Sequence, residues 1–333
     1  MTAGRRPPAR AVAEPARAAA APAVTVPWPS PLTPVIVVRR LNRFAVEAAV
    51  AAAGPAGRAG LQASGRASGT PPAVAPGTVL RLHLPNSGRM AELLQPGTPG
   101  LAWIPPGATG APADPPAASP GPAGAAGEGR DPAPPGASPG AAGSRRQGSP
   151  APRPPHPAPR RTAGDLLLVR DQERWVSVDA RMPNRLFAAA LDRRALPPFA
   201  AYRRWRAEVA WGAGRLDFCL DQADPPAPPC LVETKSCNLV EGATALFPDA
   251  PTARGARHLE ELAAAVRQGY RAAVVWFVQR DDAAGLAPHR RADPAFAAAL
   301  SRARAAGVEA YAYRCRVTPA AITVLDSIPV VEA

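Results

Sequence analysis

The sequence predicts a two-domain chain of mixed α and β structure, a small β-barrel followed by an α/β sheet. Three observations carry this. Residues 34–104 read as short alternating strands, and residues 161–333 switch repeatedly between strand and helix patterns. Between them, residues 105–160 hold 17 of the chain's 45 prolines, interleaved with Gly, Ala and Ser. That composition has no core to bury and reads as a disordered linker or insertion. At 333 residues the chain has room for two domains, and no internal repeat is visible.

Residues 1–33 are dominated by Ala, Pro and Arg without apolar periodicity and read as a disordered basic tail. Val35–Val38 and Phe44–Glu47 are β-rich runs, followed by a low-complexity insertion over about 51–76. Val79–Leu84 alternates as a half-buried strand does. Pro85-Asn86-Ser87-Gly88 is turn chemistry, and Arg89–Leu94 is expected to form a short helix before Pro96-Gly97. Leu101–Ile104 adds a strand, giving a compact barrel pattern.

After the linker, Asp165–Val169 and Trp175–Val178 look like paired strands, and Asn184 is expected to cap a helix running to Leu191. Glu208-Val209 leads into the strand Gly214–Leu220, and the proline-rich turn Asp224–Pro229 returns the chain as Cys230–Lys235. A helix is expected from about Thr252 to Gln268 with Leu259, Leu262 and Val266 on one face. Ala272–Val278 is apolar throughout, as a central strand buried on both faces would be. Asp293-Pro294 starts a helix that Gly307 ends, and a last strand runs from Val308 to Val317.

Composition narrows the function. The 39 Lys and Arg outweigh 26 Asp and Glu, a net charge of +13 that favours polyanions, with nucleic acid ahead of a membrane surface. No run approaches the roughly 20 apolar residues of a membrane helix, and the N-terminus lacks an apolar signal segment. Four cysteines without a C-x-x-C pair exclude a disulfide scaffold and a zinc knuckle, so a cytoplasmic setting is expected, nucleoid-associated if the protein binds DNA. Of the basic residues, 38 are Arg and only Lys235 is Lys; Asn occurs only at 42, 86, 184 and 238. A GC-rich coding bias explains the scarcity. Under that bias a surviving lysine marks a place that needs a compact point charge with a tunable pKa.

The chemistry converges on that lysine. Asp217 lies on one strand, and Glu233 and Lys235 lie two apart, hence on one face of the strand brought alongside. Two carboxylates on adjacent strands suit Mg²⁺ or Mn²⁺, and a lysine beside them can orient a water or offset transition-state charge. Glu208 is a further candidate acid. The plain alternative, a solvated Glu/Lys pair, is weakened by the apolar Leu231 and Val232 and by the lysine's uniqueness. The 16-residue gap from Asp217 to Glu233 makes convergence depend on how the Asp224–Pro229 turn closes.

Further stretches identify a resemblance. Arg160-Arg161-Thr162, Trp175–Asp179, Pro183-Asn184, Glu233-Thr234-Lys235-Ser236, Leu239-Val240, Ala245–Thr252, Arg254-Gly255 with His258-Leu259, and Val278-Gln279-Arg280 resemble the sugar fermentation stimulation protein family, SfsA. Leu84–Met90 with Glu92-Leu93-Leu94 looks like that family's N-terminal segment. The resemblance covers roughly 35–104 and 160–330. It implies an OB-fold-like barrel followed by a PD-(D/E)XK restriction-endonuclease-like α/β domain, and a DNA-binding protein. By motif it assigns Asp217, Glu233 and Lys235 to the nuclease signature, with Asp217 and Glu233 on the metal and Glu208 as the helix-side acid. The activity so implied is a Mg²⁺-dependent nuclease; the alternative is a non-catalytic DNA-binding regulator of sugar-utilisation genes of the maltose type.

For DNA contacts, Arg39, Arg40 and Arg43 form one basic cluster, with Asn86 and Arg89 on a family-like loop. Arg203, Arg204 and Arg206 form a second cluster. Gln279, at the end of the central strand, is within conceivable reach of the metal site. His258 reads equally as a structural residue on a helix face or a participant in catalysis.

Overall fold

The computed structural model describes residues 23–52, 74–106, 162–212 and 214–331. The expectations for residues 1–22, 53–73 and 107–161 lie outside the described residues. The barrel is built from β2 (Leu32–Asn42), β3 (Ala45–Val50), β4 (Val79–His83), β5 (Pro99–Trp103) and β6 (Gly164–Asp171), with β7 (Arg174–Ser177) appended to β6. Parallel pairing of β4 with β6, Leu82 to Gly164 and His83 to Asp165, closes the ring. Alternate residues fill it: Val35 and Val37, Val46, Ala48 and Val50, and Leu80 and Leu82 share one core with Leu166 and Val169.

Two boundaries differ from expectation. β6 and β7, read as the start of the second domain, belong to the barrel, because Gly164 and Asp165 are the strand that closes it. β1 (Val24–Pro27), placed by composition in a disordered tail, pairs antiparallel with the last strand of the other sheet, and Val24 and Val26 are buried there. The expected helix at Arg89–Leu94 is a single turn, in which Met90 O accepts from the N–H groups of Leu93 and Leu94.

The second unit is a seven-stranded mixed sheet. Its strands are β8 (Tyr202–Trp211), β9 (Gly214–Ala223), β10 (Cys230–Cys237), β13 (Arg271–Val278), β15 (Glu309–Val317) and β16 (Ala321–Ile328), ordered β1-β16-β15-β13-β10-β9-β8. β15, expected from sequence to be the last strand, is followed by β16. A small sheet of β11 (Val240–Glu241), β12 (Thr244–Phe247) and β14 (Gly285–Pro288) flanks it.

α1 (Met182–Asp192) packs on one face, and α2 (Ala253–Arg267) and α3 (Pro294–Ala305) on the other. β13 shows why its sequence is apolar without alternation. Ala273, Val275 and Phe277 enter the α1-side core, while Ala272, Val274, Trp276 and Val278 enter the α2–α3 core. Thr252 caps α2 by accepting from Gly255 N–H (3.0 Å), and Asp293 caps α3 by accepting from Phe296 N–H (2.9 Å). Leu101, Leu167 and Leu168 of the barrel share the α1-side core, so the two units meet over apolar surface.

Candidate active site

The β9–β10 hairpin closes in register despite its long turn. Leu220 pairs with Cys230, Cys219 with Leu231 and Phe218 with Val232, so the next step puts Asp217 opposite Glu233. Beyond that point the ladder opens, freeing polar groups at the strand ends. Leu231 and Cys237 belong to the core under α2, so Glu233 and Lys235, of the same parity, project to the α2 side, and Thr234 to the α1 side.

Each carboxylate is held by neighbours. Asp217 accepts from Asn184 Nδ2 (3.0 Å) and from Thr234 N–H (2.7 Å), with Thr234 Oγ1 at 2.9 Å. Thr234 Oγ1 also lies 2.7 Å from Asn184 Oδ1, so α1, β9 and β10 are stitched together at one point. Glu233 Oε1 is bonded to both Lys235 Nζ and His258 Nδ1. Lys235 Nζ is also 3.5 Å from His258 Nδ1, and Arg254 Nε donates to His258 Nε2 (3.2 Å). With Nε2 accepting, the proton sits on Nδ1 and points at Glu233. Burial pushes the Glu233 carboxyl up, but the hydrogen bonds from His258 and Lys235 and the Lys235 charge outweigh this and hold it below the usual value. Its other oxygen, Oε2, is buried with no hydrogen-bond partner.

These groups open into a cavity of about 940 Å³ shared by both units. Asp217, Glu233 and Lys235 line it from the sheet, Arg254 from α2, and Arg40, Arg43, Asn86 and Arg89 from the barrel. The Asn86–Met90 loop is pinned by Asp249, which accepts from Met90 N–H (3.0 Å). A Cβ on Gly88 would fall 2.6 Å from an Asp249 oxygen, so a larger residue there would push that carboxylate out of place.

Three expected site residues lie elsewhere. Glu208 falls between the ladder pairs Ala207–Phe218 and Val209–Leu216, which sets it opposite Asp217, but its backbone is left-handed (φ 52°). Its side chain is 63% exposed, 3.9 Å from Arg215, and does not line the cavity. Arg39 is committed to Glu47 (2.6 and 3.2 Å) and is likewise outside the cavity lining. Gln279 is buried and donates to Ser236 Oγ (2.6 Å) and Asp179 O (3.0 Å), so it supports a cavity residue from behind. In the second basic cluster, Arg203 pairs with Asp224, and Arg204 and Arg206 face Asp221 (3.2 and 3.9 Å).

Asn184 was expected to cap α1; it lies in the helix's first turn and holds Asp217 instead. Its rarity was the available signal. His258 and Arg254 are brought in by α2, a tertiary placement visible in sequence only through the family-like stretch that contains them. Burial pushes the Cys230 and Cys237 thiols up to about 12, which makes them inert as nucleophiles. Among the described residues no cluster of three or more His, Cys, Asp or Glu is disposed around a metal, and no helix is long and apolar enough to cross a membrane.

A closed OB barrel fused to a mixed α/β sheet, with a carboxylate-and-lysine centre at the junction, defines a restriction-endonuclease-like two-domain protein. Family models agree: the SfsA N-terminal OB domain matches residues 38–105, and the sugar fermentation stimulation protein RE domain matches 181–321. The chain belongs to the SfsA family. It is 39% identical over 260 residues to a sugar fermentation stimulation protein homolog of Symbiobacterium thermophilum, covering 76% of this chain and 86% of that one. To the homolog of Moorella thermoacetica it is 52% identical over 171 residues, 51% of this chain and 73% of the relative. The structure of Pyrococcus furiosus SfsA in complex with Ca²⁺ is similar in fold, with a TM-score of 0.62 over 91% of this chain and 97% of that one at 23% identity.

Proposed function

We propose that the protein is a divalent-metal-dependent nuclease acting on DNA, with the barrel contributing to strand binding. The observation that carries the reading is Glu233 Oε2, a buried carboxylate oxygen without a partner, on a cavity also lined by Asp217 and Lys235. A buried carboxylate oxygen without a hydrogen-bond donor is costly, and a cation is one group that can complete it. Two carboxylates are the usual protein share of a Mg²⁺ site, whose remaining positions go to water and substrate phosphate. Asp217 and Glu233 would hold the ion, Mg²⁺ or Mn²⁺. The chemistry it supplies is Lewis-acid polarisation of a phosphoryl oxygen. The Pyrococcus furiosus structure contains Ca²⁺, which shares the preference for oxygen ligands.

The chain's own residues do the rest. Lys235 sets a positive charge beside Glu233, where it can orient an attacking water and offset charge developing on phosphorus. His258 and Asn184 fix the two carboxylates. Arg43, Arg89 and Arg254 give the cavity wall a basic character suited to phosphates.

The test is incubation with single- and double-stranded DNA and with RNA, in Mg²⁺, Mn²⁺ or chelator. Cleavage that requires metal and is lost in Asp217→Asn and Glu233→Gln is expected. Calorimetric titration of Mg²⁺ into the same variants should show binding in the parent alone. A protein that binds DNA but cuts with neither metal would be the non-catalytic regulator instead.

A further inference from the structure

Four large hydrophobic side chains among the described residues are exposed, and only one of them is aromatic: Phe44, 50% exposed in the two-residue turn between β2 and β3. An isolated exposed apolar residue needs no explanation by itself. Phe44 is distinguished by how it is held. Its N–H donates to Asn42 Oδ1 (2.8 Å), a side-chain turn that fixes the hairpin tip. The Arg40 guanidinium donates to the carbonyls of Asn42 (3.0 Å) and Arg43 (3.3 Å) on the tip, and to those of Gly88 (2.7 Å) and Arg89 on the loop lining the cavity. A side chain otherwise free to contact phosphate is spent on holding this turn in place.

The surroundings are equally specific. The Arg43 guanidinium lies 6.0 Å from the Phe44 ring centroid, and Arg43 itself lines the cavity. The ring therefore stands beside the barrel-side wall of the cavity, in a basic setting and on a rigid support. A flat apolar surface next to guanidinium groups matches one chemical partner well: a nucleobase whose backbone phosphates meet the arginines. In a duplex the bases stack on each other and offer no face to a protein ring, so this arrangement discriminates by strand form.

We infer that Phe44 is a stacking platform for an unpaired base, and that the nucleic acid entering the cavity does so as a single strand. The inference rests on the cavity's being a nucleic-acid site, but not on its being catalytic.

The experiment measures the affinity of the full chain for an oligothymidylate, a blunt duplex and an abasic oligomer of equal length, at fixed salt in chelator. Phe44→Ala should weaken oligothymidylate binding about tenfold, the scale of one stacked base, and leave the abasic oligomer and the duplex within twofold of the parent (~2). Phe44→Tyr, which keeps the ring, should restore the oligothymidylate affinity. Because the residue is an exposed turn side chain, neither change removes core packing. Unchanged oligothymidylate binding by Phe44→Ala would overturn the inference, as would equal losses on all three ligands, or a parent that does not bind the single strand. A parent that binds single strands through Phe44 yet never cuts would defeat the nuclease reading and leave this one standing. Metal-dependent cutting with no effect of Phe44→Ala would do the reverse.

Discussion

Lys235 is the residue on which the catalytic reading turns. Its Nζ is bonded to Glu233 and sits 3.5 Å from His258 Nδ1, with the side chain only 13% exposed. A guanidinium in that place is longer, planar and unable to put one point charge against both neighbours. Lys235→Arg is therefore expected to lower metal-dependent cleavage by roughly 100-fold, while DNA affinity in chelator stays near the parent's because the charge is conserved. Parent-like turnover would remove Lys235 from the mechanism. Glu208→Gln is the matched control and should leave turnover unchanged, since that side chain points to solvent. The same residues show what could be read from sequence. That Asp217, Glu233 and Lys235 meet on one cavity was legible because strand periodicity and a lone lysine are local signals. Glu208 stands apart from them because a positive φ inside a strand redirects its side chain, which residue type does not announce. Asn184 was misassigned because a residue in the first helical turn looks much like a cap until its partner on β9 is known.

At the scale of elements, the main strands and helices of the sheet domain were readable because the Asp293-Pro294 helix start, the all-apolar β13 and the proline-rich turn are local features. The edges were not. β1 and β16 pair across about 300 residues, Val24 with Val324, and β6 joins β4 and β5 across the Pro-rich stretch. Such pairings are decided by tertiary closure. The parallel neighbours β13 and β15 carry an ion pair that ties strand stability to pH. Arg271 donates to Glu309 through Nε (2.6 Å) and Nη2 (2.7 Å), and its guanidinium lies over Phe199 and Tyr202. Burial pushes the Glu309 carboxyl up, but bonds from Arg271 and Tyr311 outweigh that and hold it below its ordinary 4.5. A carboxyl depressed on folding stabilises the fold fully above the unfolded value, and that contribution disappears as pH falls through the folded value. Glu309→Gln should accordingly destabilise the protein at neutral pH, with a difference from the parent that shrinks below about pH 4.5. Paired urea titrations across pH 3–7 (a range of about four units) measure this, and a difference independent of pH would show that the pair contributes only packing.

At the scale of the whole molecule, the cavity exists only while barrel and sheet stay docked, because its arginines and its carboxylates come from different units. Besides the Asp249–Met90 hydrogen bond, two kinds of contact hold them. One is apolar, through Leu101, Leu167 and Leu168 of the barrel in the core beneath α1. The other is Arg280, buried at the end of β13, which donates to Asp282 through Nε and Nη2 (both 2.7 Å) and reaches Asp171 at the end of β6 (2.9 Å). Arg174 on β7 adds weaker pairs to Asp281 and Asp282 (3.3 and 3.9 Å). Removing Arg280 leaves two aspartates facing each other without their shared cation, and breaking such a buried pair costs about 3 kcal/mol. Arg280→Met keeps the apolar stem and deletes the charge. Because the leucines of the barrel remain in the sheet's core, we expect one cooperative calorimetric transition at lower temperature, with the loss partly recovered as acid neutralises the stranded aspartates. Two separated transitions would instead mean that Arg280, and not the shared core, makes barrel and sheet a single cooperative unit.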